Sequence, residues 1–213
     1  MRPLQLIQTY SLVCECYDTH MSLHFQRQSN NNCPEFTDQE AITIYLCGIF
    51  EGHYSHRSTY DYMVNHWSSW FPKLPSYQAY NARINAIYWH FEVIISHLMN
   101  QMNFNDCYDN VSLVDSLPIM LSKHPYTAKV ASEIADKGYC DAKKQFYHGV
   151  KLHLIGKDRF EKIPKPNFFD FTPASVNDLT AIKPMICQLK NQIVVGDKAY
   201  SSEKFNQQLS KNN

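Results

Sequence analysis

Two periodicities divide the chain. Up to about residue 102 apolar residues recur every three or four positions, and from about residue 110 they alternate or gather in short blocks. The segment TDQEAITIYLCGIF opens at Thr37 with Glu40 three residues on, a spacing that lets each side chain cap the other's backbone amide. Ile42, Tyr45, Leu46 and Ile49 follow at helical spacing as its expected buried stripe, and Gly48 or Gly52 is placed to end the helix. A second helix is predicted over 58–67, with Tyr62, Met63, His66 and Trp67 on adjoining turns. Beyond the two prolines of WFPKLPS, Ser76 is placed to cap one long helix to about residue 102. Tyr80, Ile84, Ile87, Phe91, Ile94, Ile95 and Leu98 form its apolar side. The run SNNNCP reads as a loop at 30–34. An all-helical N-terminal domain is expected over 1–108, with its aromatics mostly in the core.

The second half reads as strands. NVSLVDSLPI is a short run of branched residues, and QFYHGVKLHLIG sets Val150, Leu152 and Leu154 on one face against Lys151 and His153 on the other. NFFDFTPASVNDLTAI predicts a strand and then a helix with Asn177 and Asp178 in its opening turns. NQIVVGD is a compact strand, and SSEKFNQQLSK begins a helix capped by Ser201 or Ser202. Gly138 and Gly149 are expected to serve turns and packing. The order strand, loop, strand, strand, helix, strand, helix predicts an α/β domain with a mixed sheet over 109–213, an order that several folds share.

Composition narrows the class. With 44% apolar and 19% charged residues, the chain can build a sizeable core and wholesale disorder is excluded. The longest apolar run, 91–99, is interrupted by Glu92 and His97 and falls far short of the roughly 20 residues of a membrane span. Thr9 and Tyr10 break the first apolar stretch before a signal-peptide core forms, so a cytoplasmic chain is expected. The seven cysteines include no CxxC pair and suggest neither a disulfide framework nor a zinc knuckle. A formal net charge of zero hides an asymmetry: five Lys or Arg face ten Asp or Glu up to Asn110, and fifteen face ten thereafter. The cations concentrate over 143–165. That suits a polyanion such as DNA, or a solvated basic surface.

Two acids sit where acids are uncommon. Asp115 interrupts the strand VSLVDSLPI, and Asp197 ends the strand IVVGDKAY. Each alone also reads as a loop cap. If the strands are neighbours, the carboxylates converge, and two anions about 4 Å apart repel by roughly 4 kcal/mol at an effective dielectric near 20. A divalent cation removes that repulsion, and hard oxygen ligands favour Mg²⁺ or Mn²⁺.

SLVDS, DKGYCDAKKQFYHGVKLHL, FTPASVNDLTAI and VVGDKAYSS, in that order and spacing, together resemble the DDE transposases of bacterial insertion sequences, and most of all the branch around insertion sequence 982. The resemblance spans about 110–205 and extends more loosely to LPSYQAYNARINAI in the helical half. It implies a ribonuclease-H-like domain, C-terminally incomplete here, in which the first and fourth strands lie side by side. Asp115 and Asp197 would be the first two catalytic acids and would hold Mg²⁺, with Mn²⁺ as substitute, for cleavage and transfer of DNA strands. The family's third acid, a Glu, follows a further strand, and the sequence reaches Asn213 before it. Glu203 reads instead as a helix-start charge. The resemblance therefore implies a transposase fragment impaired by itself, either a decayed element or one completed by frameshifting. The alternative is a non-catalytic DNA-binding or dimerising regulator of full-length transposase; a third reading is an unrelated metal-dependent nuclease.

The expected partners are DNA, as terminal inverted repeats and target, and a second copy of the chain. Lys143, Lys144, Lys151 and Lys198 are candidate phosphate contacts beside the site, or solvated lysines. Gln78, Asn81 and Arg83 are candidate base-reading residues on a recognition helix, or parts of a packing helix. His153 is expected to be structural or exposed, and Tyr200 to be a packing aromatic.

Overall fold

The computed structural model describes residues 1–21, 34–102, 104–126 and 128–212, and the chain forms two compact units, 1–101 and 102–213. The loop expected at 30–34 lies, apart from Pro34, outside the described residues.

The first unit is helical: α1 (Pro3–Cys16), α2 (Asp38–Phe50), α3 (His56–Trp67), α4 (Tyr77–Ala86) and α5 (His90–Gln101). At the start of α2 the Glu40 amide donates to Thr37 Oγ1 at 3.2 Å, and the Thr37 amide donates to Glu40 Oε2 at 2.7 Å. These bonds satisfy amides that the first turn leaves without carbonyl partners. The helix ends where Gly52 takes a φ of +82°, a conformation glycine adopts without a Cβ clash. Ala41, Ile42, Ile44 and Cys47 are buried, whereas Tyr45 and Leu46 are only partly covered. The expected stripe was too narrow because α1, α3 and α4 all pack on α2.

Two helix limits differ from expectation. Helix α3 starts two residues early, where Ser55 accepts the Ser58 amide at 3.1 Å. The long helix predicted from Ser76 is two, α4 and α5. Ile87 leaves helical geometry at φ −110°, ψ 18°. Trp89 Nε1 donates to the Ala86 carbonyl at 3.3 Å, and His90 Nδ1 lies 2.9 Å from the Ile87 carbonyl. Tyr88, Trp89 and His90 are all poorer helix formers than Ala or Leu, and the break buries both Ile87 and His90. Tertiary burial has overridden an unbroken hydrophobic period.

The second unit contains β1 (Cys107–Ser122), β2 (Asp136–Cys140), β3 (Gln145–Arg159), β4 (Lys165–Pro173), α6 (Asp178–Ile186), β5 (Ile193–Val195) and α7 (Glu203–Asn212). Strand β3 lies antiparallel to β1 on one side, and on the other side to β2 along 145–149 and β4 along 150–157. Strand β5 joins the far side of β1 in parallel, which makes the five-stranded sheet mixed. The sheet is thus α/β as expected. Strand β2 was not anticipated, because DKGYC carries Asp, Lys and Gly, residues that strands disfavour.

One face of the sheet is covered. Val114 and Ile155 pack there with Ile182, Met185 and Ile186 of α6, with Tyr200, and with Phe205 of α7. By the two-residue alternation Ser116, Lys151 and His153 share this face. The opposite face carries Val150, Leu152, Leu154, Phe169 and Phe171, with Leu117 and Phe171 more than half exposed. The two faces of β3 divide as its sequence predicts, yet the polar one lies under the helix.

Gly149 of β3 has no room for a side chain: a Cβ would overlap the Ile119 carbonyl oxygen of β1. Backbone at the centre of a sheet cannot yield as a side-chain tip can. Gly149→Ala is therefore expected to destabilise the second unit by about 1–3 kcal/mol, read as a lowered urea midpoint. An unchanged midpoint would mean that β1 and β3 separate more readily than their pairing suggests.

Candidate active site

The pairing of β1 with β5 sets the site. Val111, Ser112 and Leu113 stand opposite Ile193, Val194 and Val195 in parallel register. Asp115 lies two residues beyond Leu113 within β1, and Asp197 two residues beyond Val195, where β5 has ended and a 3₁₀ turn begins. Adjacent strands lie about 4.8 Å apart, so the pairing sets the two chain segments that carry these acids side by side. Both residues are exposed. Asp115 accepts the Ser116 amide at 2.8 Å and Asp197 the Ala199 amide at 2.8 Å, the latter as cap of a 3₁₀ turn over Lys198–Tyr200.

Gly196 allows this approach. A Cβ there would overlap the Val114 side chain and stand 3.1 Å from the Tyr200 ring, so only glycine brings the end of β5 this close to β1. A hydrogen bond between the Ser112 and Gln192 side chains ties the start of β5 to the same strand.

On the covered face at this level lies a polar group that the sequence did not reveal. Asp178, in the first turn of α6, accepts from Ser116 Oγ at 3.3 Å and from Lys151 Nζ at 3.1 Å, and Lys151 also donates to the Val176 carbonyl at 3.0 Å. Tyr200 is buried on the same covered face, packed with Val114. Burial, reinforced by the negative charges of Asp178, Asp115 and Asp197, pushes the Tyr200 phenol up to about 12, so it is neutral near pH 7. Tyr200 is the packing aromatic the sequence suggested, with a polar tip in this group. Asp178 was missed because an acid one residue past an Asn cap looks like any dipole-favoured helix start.

His153 is fully buried, with Nε2 2.8 Å from Thr172 Oγ1. Burial holds its pKa below the usual value, as it does for His90 in the first unit. A depressed histidine is neutral in the fold, while the unfolded chain takes up protons below about pH 6.5. Both units should then hold full stability above about pH 6.5 and lose it as pH falls toward the depressed folded values. The urea midpoint is expected to drop between pH 7.5 and 5.5, and His153→Gln to lessen the drop for the second unit. An equal drop in that variant would assign the effect to other groups.

The remaining candidates divide. Lys143 and Lys144 are exposed on the turn between β2 and β3, and Lys198 is exposed beside Asp197. Lys151 is only 15% exposed and is paired with Asp178. In the first unit Gln78 is exposed, the Asn81 side-chain oxygen lies 2.7 Å from His56 Nδ1, and Arg83 forms a two-pronged ion pair with the buried Asp38. Glu203 is the exposed first residue of α7, as its reading as a helix-start charge implied.

Two acidic oxygen donors, one within β1 and one just past the end of β5, suit a hard divalent cation. Among the described residues no group of three or more His, Cys, Asp or Glu side chains is placed to hold a metal. The fit is thus that of two ligands, with the rest of a coordination shell left to water or substrate oxygens.

The architecture defines an α/β domain with a mixed sheet. Its family likeness is specific: residues 109–213 match the family model described as the transposase DDE domain. The second unit is similar to that domain and ribonuclease-H-like in fold, and the match supports a DDE-type transposase, a family that acts in DNA transposition and generally uses divalent metal ions. No curated protein and no solved structure matches the chain. Among the described residues no helix is long and apolar enough to cross a membrane.

Proposed function

We propose that the second unit binds Mg²⁺, with Mn²⁺ as substitute, through Asp115 and Asp197, and that it cleaves and transfers DNA strands at the ends of an insertion sequence. The observation that supports the reading is the parallel pairing of β1 with β5, whose register runs from Val111 opposite Ile193 to Leu113 opposite Val195, two residues short of each acid. A bound divalent ion would polarise the phosphate and lower the pKa of an attacking water or 3′-hydroxyl. The protein's share is positional: β1 and the turn after β5 hold the carboxylates, and the exposed Lys143, Lys144 and Lys198 attract and orient the phosphate backbone. Terminal inverted repeats and target DNA are the expected partners, in the cytoplasm at the nucleoid. Gln78, Asn81 and Arg83 are assigned to the end-recognition face of the helical unit, with Arg83 acting there through its hold on Asp38. The looser likeness of LPSYQAYNARINAI to the insertion sequence 982 branch supports this assignment, and a second copy of the chain is the expected assembly partner.

The test is cleavage of a DNA duplex ending in an inverted repeat, with Mn²⁺, by the chain and by its Asp115→Asn variant. Cleavage by the chain that the substitution abolishes supports the reading. Specific binding without cleavage by either protein would favour a regulator of a complete transposase, supported now by the basic excess of the second half. Cleavage indifferent to the repeat would favour a general nuclease.

A further inference from the structure

We propose that Asp178 is a positioning residue for the Asp115–Asp197 pair, acting through Ser116 on one strand and Tyr200 on the turn after the other. The inference rests on the metal-binding reading above and deepens it. Asp115 and Asp178 do not share a face. By alternation the Asp115 side chain belongs to the open face and Ser116 to the covered one, where α6 presents Asp178. Asp178 therefore stands behind the site and is not one of its ligands, in keeping with the lack of a three-ligand group among the described residues.

Its connections run to both acids. Ser116 directly follows Asp115, and its hydroxyl donates to Asp178. Tyr200 packs on the same covered face within electrostatic reach of Asp178, and its amide donates to the Asp197 carbonyl at 3.2 Å. A shift of the Asp178 carboxylate is therefore felt at the backbone of β1 beside Asp115 and at the turn that Asp197 caps. Lys151 fixes the carboxylate from β3: its ammonium bridges Asp178 and the Val176 carbonyl, with side chains only 15% and 23% exposed, so the pair is shielded from solvent. Hydrogen-bonded groups behind a metal's ligands orient them, and their loss weakens metal binding about 10–100-fold.

The experiment measures Mn²⁺ affinity of the full chain from the electron paramagnetic resonance signal of the free ion, with a metal-free thermal melt beside it. The proteins are the wild type, Asp115→Asn, Asp178→Asn and Ser116→Ala. Asp178→Asn is expected to bind Mn²⁺ about 10-fold more weakly or worse while still melting cooperatively. Ser116→Ala cuts the link on the Asp115 side, leaves the Lys151–Asp178 pair in place and should weaken binding as well, so it decides the matter if Asp178→Asn fails to fold. A lowered melting midpoint with wild-type affinity would show a structural role alone and overturn the proposal. A wild type that binds no Mn²⁺, or binds it no better than Asp115→Asn, would overturn the metal reading and this inference with it.

Discussion

Asp115→Asn is expected to erase the stabilisation that Mn²⁺ gives to the second unit. An ion that binds only the folded state adds about 2.7 kcal/mol at a concentration 100 times its dissociation constant. An amide oxygen brings no charge to the site and leaves Asp197 as the sole anionic ligand there. If the substitution weakens binding about 100-fold, the same Mn²⁺ concentration contributes only about 0.4 kcal/mol. The measurement is the urea midpoint with and without Mn²⁺, repeated for Asp197→Asn. Both variants should lose the Mn²⁺ shift, because each removes one of the two anionic ligands. Equal Mn²⁺ shifts in all three proteins would place the ion elsewhere, and loss in one variant alone would break the pair.

The second large effect belongs to the helical unit. Arg83→Met is expected to destabilise it by about 3–5 kcal/mol, the usual cost of removing one partner from a buried ion pair. Asp38, in the first turn of α2, is 4% exposed, and the Arg83 guanidinium of α4 is 26% exposed. Without that guanidinium a nearly dry carboxylate loses its fixed counter-ion, and the clamp between α2 and α4 goes with it. Methionine keeps most of the apolar stem, so the loss reports on charge and hydrogen bonds. A denaturation midpoint within a few tenths of wild type would show that Asp38 finds other compensation. A variant that folds normally but loses DNA binding would instead assign Arg83 directly to base contact.

The same residue shows where reading the sequence stops. In NARINAI, Arg83 has the spacing of an exposed recognition residue, and no local pattern tells that Asp38, 45 positions earlier, lies within its reach. Local signals succeeded where chemistry is local: the Thr37–Glu40 cap, the Ser202 cap that accepts the Phe205 amide, and the alternation along β3. They failed where a distant neighbour decides. The break at Ile87 interrupts a sound hydrophobic period because burial of His90 outweighs continuity. Lys151 has the periodicity of a solvent-facing residue, but α6 covers it. In the candidate site, Asp115 and Asp197 stand out in the sequence as acids in apolar segments, and the sequence could not show that β1 and β5 pair just before them. Asp178 became visible only once α6 was seen to lie over Ser116.

Strand β5 has only three residues and, among the described residues, hydrogen-bonds to β1 alone, whereas Asp115 sits within a 16-residue strand paired with β3. Short, one-sided elements open locally at far lower free energy than the sheet centre. One carboxylate is therefore anchored and the other rides on a segment that detaches and returns. Amide hydrogen exchange would follow this directly: protons at 193–197 should be lost well before those of β1 and β3. A cation shared by Asp115 and Asp197 would slow that loss, since detaching β5 would then mean giving up the ion.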